Sequence, residues 1–153
     1  IRDGRAVALT YMDPADFADA RDAGLRGGGS GGDRRDERLP MERAAHEWRQ
    51  CNEEAEHALR RMDRSRWMEV RYEELCTNPD ATLDRVFTFL GLDPERRIRD
   101  FRSVEHHVVG NGMRLDGTSE IRLDERWREV LTEQDLRTFN AVAGDMNRRY
   151  GYL

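Results

Sequence analysis

Apolar side chains recur at three- and four-residue steps over residues 40–62, which is the clearest helical pattern in the chain. This stripe contains Met41, Ala44, Ala45, Trp48, Cys51, Ala55, Ala58, Leu59 and Met62. A second stripe follows Thr132 and contains Leu136, Phe139, Val142, Ala143 and Met146. Thr132 and Asp135 resemble a capping box with Asp in place of Glu. The two segments predict amphipathic helices with one buried face each.

Shorter elements are predicted around these two helices. In chain order they are a helix over 4–12 after a strand end, a short strand over 66–71 running into Tyr72-Glu73-Glu74-Leu75, a helix from Pro79 to Gly91, a short helix after Pro94 and a helical stretch over 123–131. Asn78 is the predicted N-cap of the helix at Pro79, and Gly91 its C-terminal stop. The predicted buried face of that helix contains Leu83, Val86, Phe87 and Leu90.

A glycine-rich stretch over residues 24–38 interrupts this pattern. It contains Gly27-Gly28-Gly29-Ser30-Gly31-Gly32 between mixed charges, a composition that is typical of flexible coil. The sequence leaves open whether it is a natural mobile loop or an engineered linker. A natural loop could border the acceptor site as a lid, but a plain surface insertion is the favoured interpretation.

Composition narrows the class of protein. Apolar and charged residues each make up 37% of the 153 residues, and the net charge of −5 disfavours a nucleic-acid partner. The chain contains no Lys, which excludes a Walker-type loop. Cys51 and Cys76 lack the spacing of a zinc site or a disulfide framework. No membrane segment or signal peptide is visible, so a cytoplasmic protein is expected.

Three segments contain candidate anion-binding residues. Arg2 precedes the first helix and Thr10 lies eight residues later, so a guanidinium, a hydroxyl and a helix N-terminus could converge on one phosphate. The alternative is a surface Arg–Asp pair. Tyr72, at the predicted strand end, could lie over a base or only pack in the core. Arg114 follows the turn Gly110-Asn111-Gly112 and offers a second cation.

His106 and His107 form an adjacent pair in the same late segment. Neighbouring side chains point apart, and no third ligand has a suitable spacing, so no metal site is predicted. One of the two imidazoles could still donate a hydrogen bond to a ligand.

These motifs, in this order, resemble the sulfotransferase superfamily. The resemblance rests on Arg-Asp-Gly-Arg-Ala at the start, Tyr-Glu-Glu-Leu with Asn-Pro and Phe-Leu-Gly-Leu, then Gly-Asn-x-Met-Arg, Trp127 and Tyr150-Gly151-Tyr152. Bacterial members are the most similar, and the first motif is also similar to tyrosylprotein sulfotransferases. The likeness extends from Ile1 to Tyr152, apart from the glycine-rich stretch.

The resemblance implies an α/β fold of the P-loop NTPase-like sulfotransferase type and the co-substrate 3′-phosphoadenosine 5′-phosphosulfate. It implies that Arg2 and Thr10, where the family usually has Ser, bind the donor's 3′-phosphate. Tyr72 would lie near the adenosine, and Arg114 would reach the same phosphate. The acceptor would be a hydroxyl or amine of a small molecule, a carbohydrate or a protein.

The family's phosphosulfate-binding loop and its catalytic base have no counterpart in this sequence. Residues 1–153 are therefore expected to be a partial, helix-rich C-terminal portion of the domain, inactive alone, and Asp3, Glu73 and Glu74 to be structural or solvent-facing. Two alternatives remain open: a nucleotide or nucleoside kinase of related fold, and a helical interaction module without a ligand. The latter predicts that the four candidate residues lie scattered.

Overall fold

The computed structural model describes residues 1–13, 38–97, 100 and 121–153. This part of the chain is helical. Its α-helices are α1 (Gly4–Met12), α2 (Met41–Leu59), α3 (Tyr72–Thr77), α4 (Pro79–Phe89), α5 (Trp127–Val130) and α6 (Glu133–Arg149), and single 3₁₀ turns lie at Arg64–Arg66 and Pro94–Arg96. No described helix combines the length and the apolar character needed to cross a bilayer.

The core forms where α1, α2 and α6 meet. Small residues let the three helices approach closely, and larger side chains fill the space between them. The buried set is Ala6, Ala8, Leu9, Met41, Ala44, Ala45, Trp48, Phe139, Ala143 and Met146, with Trp127 and Leu131 at its margin. Trp48 lies at the centre, with its ring 5.9 Å from Phe139 and 6.1 Å from Tyr150 between centroids. The predicted inner stripe of α6 is thus confirmed.

Only the N-terminal half of the predicted α2 stripe is buried. Cys51, Ala55 and Ala58 are exposed, and the helix ends at Leu59 rather than continuing to Met62. The core contacts of α2 cluster between Met41 and Trp48, so periodicity alone overestimated the buried length. The capping box of α6 is confirmed, with Thr132 Oγ1 accepting from the Asp135 N–H and Asp135 from the Thr132 N–H.

The predicted strand over 66–71 is replaced by a 3₁₀ turn and an extended segment. Arg66 ends the turn, and Trp67 is the first extended residue. The Ile1 amino group donates to the Val70 carbonyl at 2.8 Å, and the Tyr72 N–H donates to the Ile1 carbonyl at 2.8 Å. These two bonds have the register of a parallel bridge, although no regular strand forms in the described residues.

The region around α4 differs in detail from the prediction. Pro79 begins the helix as expected, but the Asn78 side chain forms no capping hydrogen bond. Gly91, at φ +68°, ends it in a Schellman turn in which the Leu92 N–H donates to the Phe87 carbonyl. The predicted buried face is shallow: Leu83, Val86 and Phe87 are half-buried, and Leu90 is exposed. The helical pattern over 123–131 forms only the single turn of α5.

Several of the predicted features lie in parts of the chain that the structure does not describe. The glycine-rich stretch lies outside the described residues except for Arg38, as do His106, His107 and Arg114.

Candidate functional site

Arg2 precedes Asp3, the N-cap of α1, and lies half-buried against the ring of Tyr72. Its guanidinium carbon is 4.4 Å from the ring centroid, a cation–π contact. Its Nη2 donates to the Asp124 carboxylate at 3.1 Å and to the Asp124 carbonyl at 3.2 Å. Its Nε is buried and has no hydrogen-bond partner in the part of the chain that the structure describes. The arginine is therefore fixed in orientation while part of its donor capacity is unused.

Tyr72 begins helix α3 and does not end a strand, contrary to the prediction. Its Oη donates to the Arg122 carbonyl at 3.2 Å and accepts from the Asp124 N–H at 3.1 Å. Burial, together with a hydrogen bond to Cys76, raises the pKa of Tyr72 above its ordinary value. Burial likewise raises the pKa of the Cys76 thiol. The phenol is therefore uncharged at neutral pH, and its two hydrogen bonds connect α3 to residues 122–124.

Thr10 lies at the end of the second turn of α1, and its hydroxyl donates to the Val7 carbonyl at 2.7 Å. It is seven positions beyond Asp3, the N-cap, which corresponds to about 10 Å along the helix axis. Arg2 and Tyr72 are therefore in contact, whereas Thr10 marks the other end of the same helix. A ligand bound by both Arg2 and Thr10 would lie along α1.

The N-terminal amides of α1 have protein acceptors. The Asp3 N–H donates to Glu73 Oε1 at 3.0 Å, the Gly4 N–H to Asn147 Oδ1 at 2.9 Å, and the Arg5 N–H to Asp3 Oδ1 at 2.9 Å. The expectation that this helix N-terminus adds donors for an anion is therefore wrong for these three groups. Asp3 and Glu73 are structural, as predicted.

Tyr152 completes this support from the C-terminal end of the chain. Gly151, at φ +83°, ends α6 in a Schellman turn, and the turn directs Tyr152 back to the start of α1. The Tyr152 hydroxyl donates to Glu73 Oε2 at 2.6 Å, and the Arg71 guanidinium lies 4.4 Å from its ring centroid. Burial and the Glu73 carboxylate raise the pKa of Tyr152. The terminal Tyr-Gly-Tyr was a sequence signal, but its partners were not predictable from it.

Asp124 is not among the site residues predicted from the sequence. Its Oδ1 accepts from the Arg126 backbone N–H at 3.2 Å and from Arg126 Nε at 2.9 Å. Hydrogen bonds from Arg126 first, and then from Arg2, hold the pKa of Asp124 well below its usual range. The only local signal was an Asp two residues before an Arg, which permits an Asx turn. The ion pair between Asp124 and Arg2 joins residues that are 122 positions apart, so no local sequence pattern indicates it.

The described residues contain no group of three or more side chains that could hold a metal ion.

Arg114 is outside the described ranges, so its predicted approach to Arg2 stays a prediction. The described part of the chain resumes at residue 121. Arg122 and Asp124 both form hydrogen bonds with Tyr72, so this segment lies directly beside the Arg2–Tyr72 pair.

A comparison with models of known protein families shows which family this chain belongs to. The model of the Sulfotransferase family matches residues 13–96, more than half of the sequence. The chain belongs to the sulfotransferase family. This membership implies the family's P-loop-like fold and supports sulfotransferase activity in general. No curated protein and no solved structure matches the sulfotransferase chain.

The matched range includes Tyr72 and helices α2, α3 and α4. Arg2 and Thr10 precede it, and Arg114 follows it. The roles of these three residues in the sulfotransferase therefore rest on the motifs themselves and on the contacts around Arg2.

Proposed function

We propose that this sulfotransferase uses 3′-phosphoadenosine 5′-phosphosulfate as donor and that the described residues form part of its donor-binding side. The observation that carries the proposal is the contact of Arg2 with Tyr72 at the start of α1. A guanidinium recognises phosphate oxygens through a planar fork, and an aromatic ring offers a face for a base. Tyr72 lies within the range that the family model matches, Arg2 precedes that range in a motif that resembles the family's, and the two side chains lie together in space.

The reaction would be a transfer of the sulfuryl group to a hydroxyl or amine. The acceptor oxygen or nitrogen forms a bond to sulfur, the bond between sulfur and the bridging phosphate oxygen breaks, and the acceptor's proton leaves to a base. The products are a sulfate ester or sulfamate and adenosine 3′,5′-bisphosphate. As in phosphoryl transfer, positioning and charge stabilisation supply most of the rate. Arg2 and Arg114 would bind the 3′-phosphate, which distinguishes this donor from ATP, and Thr10, about 10 Å along α1 from Asp3, would contact the donor farther along the helix.

The carboxylates near Arg2 are occupied by protein donors, which argues against a role as catalytic base. Asp3 is buried and binds Arg5 through Nη2 at 2.7 Å. Glu73 accepts from the Asp3 N–H and from Tyr152. We therefore propose that the described residues recognise the donor and supply no base. Because the sequence has no counterpart of the family's phosphosulfate-binding loop, we also propose that the 153-residue chain by itself transfers no sulfuryl group.

Arginine side-chain and amide NMR would test the placement of the donor. We would titrate the chain with adenosine 3′,5′-bisphosphate and, in parallel, with adenosine 5′-phosphate. Shifts of the Arg2 Nε–Hε, Tyr72 ring and Thr10 signals that appear only with the bisphosphate would support the proposal. Equal responses to the two nucleotides would contradict a 3′-phosphate site, and shifts confined to other residues would contradict its location. Thr10→Ser is the conservative control, because it keeps the hydroxyl, and Thr10→Val removes it.

A further inference from the structure

The Asp124 carboxylate joins two arginines beside the Tyr72 ring. Its Oδ2 accepts from Arg2 Nη2 at 3.1 Å and from Arg126 Nη2 at 3.0 Å. Arg126 also binds Oδ1 through Nε at 2.9 Å and through its backbone N–H at 3.2 Å. The carboxylate is therefore fixed from the Arg126 side, and it can restrain Arg2 in turn.

The main chain of Asp124 adds to this restraint. Its N–H donates to the Tyr72 hydroxyl at 3.1 Å, and its carbonyl accepts from the same Arg2 Nη2 at 3.2 Å. The carbonyl oxygen and Oδ2 of Asp124 thus both accept hydrogen bonds from Arg2 Nη2, while the Tyr72 ring lies against the guanidinium group. Within the described residues, Nη1 makes no hydrogen bond.

We infer that Asp124 is a positioning residue that orients Arg2 for binding of the donor's 3′-phosphate, an inference that rests on the proposed function. An arginine clamped at Nη2 presents Nη1 in a defined direction. A phosphate then binds without the entropic cost of ordering a long side chain. Carboxylates that hold a ligand-binding side chain act in this way at many metal sites, where their loss typically lowers affinity about 10- to 100-fold.

A purely structural role is the competing explanation. The same ion pair could only fasten residues 121–126 to the start of α1. Such a role would change the stability of the fold but not the preference for a 3′-phosphate. Asp124→Asn separates the two, because it keeps the size of the side chain and the main-chain contacts with Tyr72 and Arg2 but removes the negative charge.

Calorimetry of the 153-residue chain with adenosine 3′,5′-bisphosphate and with adenosine 5′-phosphate provides the test. We expect Asp124→Asn to weaken bisphosphate binding about tenfold and to leave adenosine 5′-phosphate unchanged. Asp124→Glu keeps the charge and should recover part of the loss. Asp145→Asn is the matched control: it breaks an exposed Arg–Asp pair with Arg49, 2.9 Å apart, and should bind like the wild type.

The mobility of the Arg2 guanidinium provides a readout that does not depend on the ligand. Nitrogen-15 NMR of the free protein should show faster rotation about the Arg2 Nε–Cζ bond in Asp124→Asn than in the wild type. If Asp124→Asn binds the bisphosphate as tightly as the wild type, or tighter, the positioning role is wrong although the proposed function stands. If the wild type does not prefer the bisphosphate, the proposed function fails and the inference fails with it.

Discussion

Replacing Gly4 with Ala would place a methyl group inside the core. An added Cβ would lie 2.6 Å from Phe139 Cζ and 2.8 and 2.9 Å from two ring atoms of Trp48. Both rings are buried, so neither can move aside without displacing α2 or α6. Overpacking of this kind costs about 1–3 kcal/mol, and three contacts below 3.0 Å put Gly4→Ala at the upper end.

The opposing effect is small. Alanine is favoured over glycine in a helix interior by up to about 1 kcal/mol, and less at the first helical position. We therefore expect Gly4→Ala to lower the free energy of unfolding by about 2–3 kcal/mol. Because Gly4 lies two residues after Arg2, displacement of α1 should also weaken binding at the candidate site.

Gly144→Ala is the matched control. The nearest atoms to its added Cβ are Asn140 Oδ1 at 3.1 Å and Arg148 Nη1 at 3.2 Å, the far ends of flexible side chains. That variant should be between neutral and about 1 kcal/mol more stable than the wild type. Urea unfolding followed by tryptophan fluorescence measures both. A Gly4→Ala protein within about 0.5 kcal/mol of the wild type, or no less stable than Gly144→Ala, would refute the packing described for α1.

Three further predictions concern the contacts around the start of α1. Asn147→Ala should cost about 2 kcal/mol of unfolding free energy, because the buried Gly4 N–H loses its acceptor, and a loss below about 0.5 kcal/mol would contradict this. Tyr152→Phe should cost about 1–2 kcal/mol in the same urea assay, since it removes a hydrogen bond to the Glu73 carboxylate; an unchanged midpoint would argue against the bond. Burial raises the pKa of folded Tyr152 above 10.0, so the unfolded chain loses this proton first. Its stability contribution is fully present below pH 10 and is lost as the pH rises further; the loss should be smaller in Tyr152→Phe, and identical alkaline profiles would contradict the assignment.

The sequence predicted the elements whose signals are local. The capping box at Thr132, the stop at Gly91 and the buried stripe of α6 each depend on residues within a few positions, and the structure confirms all three. The C-terminal half of the α2 stripe was wrong, because burial depends on which helix lies opposite rather than on period.

The candidate site divides in the same way. Arg2 and Tyr72 were selected from their motifs, and the structure brings them into contact. Asp124 and Asn147 could not be found, because they meet Arg2 and Gly4 across 122 and 143 positions of sequence. Tyr72 was expected at a strand end because a short strand was predicted over 66–71, but the helix propensity of Glu-Glu-Leu prevails, and α3 begins at Tyr72 itself.

One calorimetric comparison tests the recognition of a 3′-phosphate by Arg2. Wild type, Arg2→Lys and Arg2→Ala would each be titrated with adenosine 3′,5′-bisphosphate and with adenosine 5′-phosphate. We expect the wild type to prefer the bisphosphate, Arg2→Ala to abolish the preference, and Arg2→Lys to retain only part of it, because an ammonium cannot form the planar fork. Equal affinity of the wild type for the two nucleotides, or a preference that survives in Arg2→Ala, would contradict it.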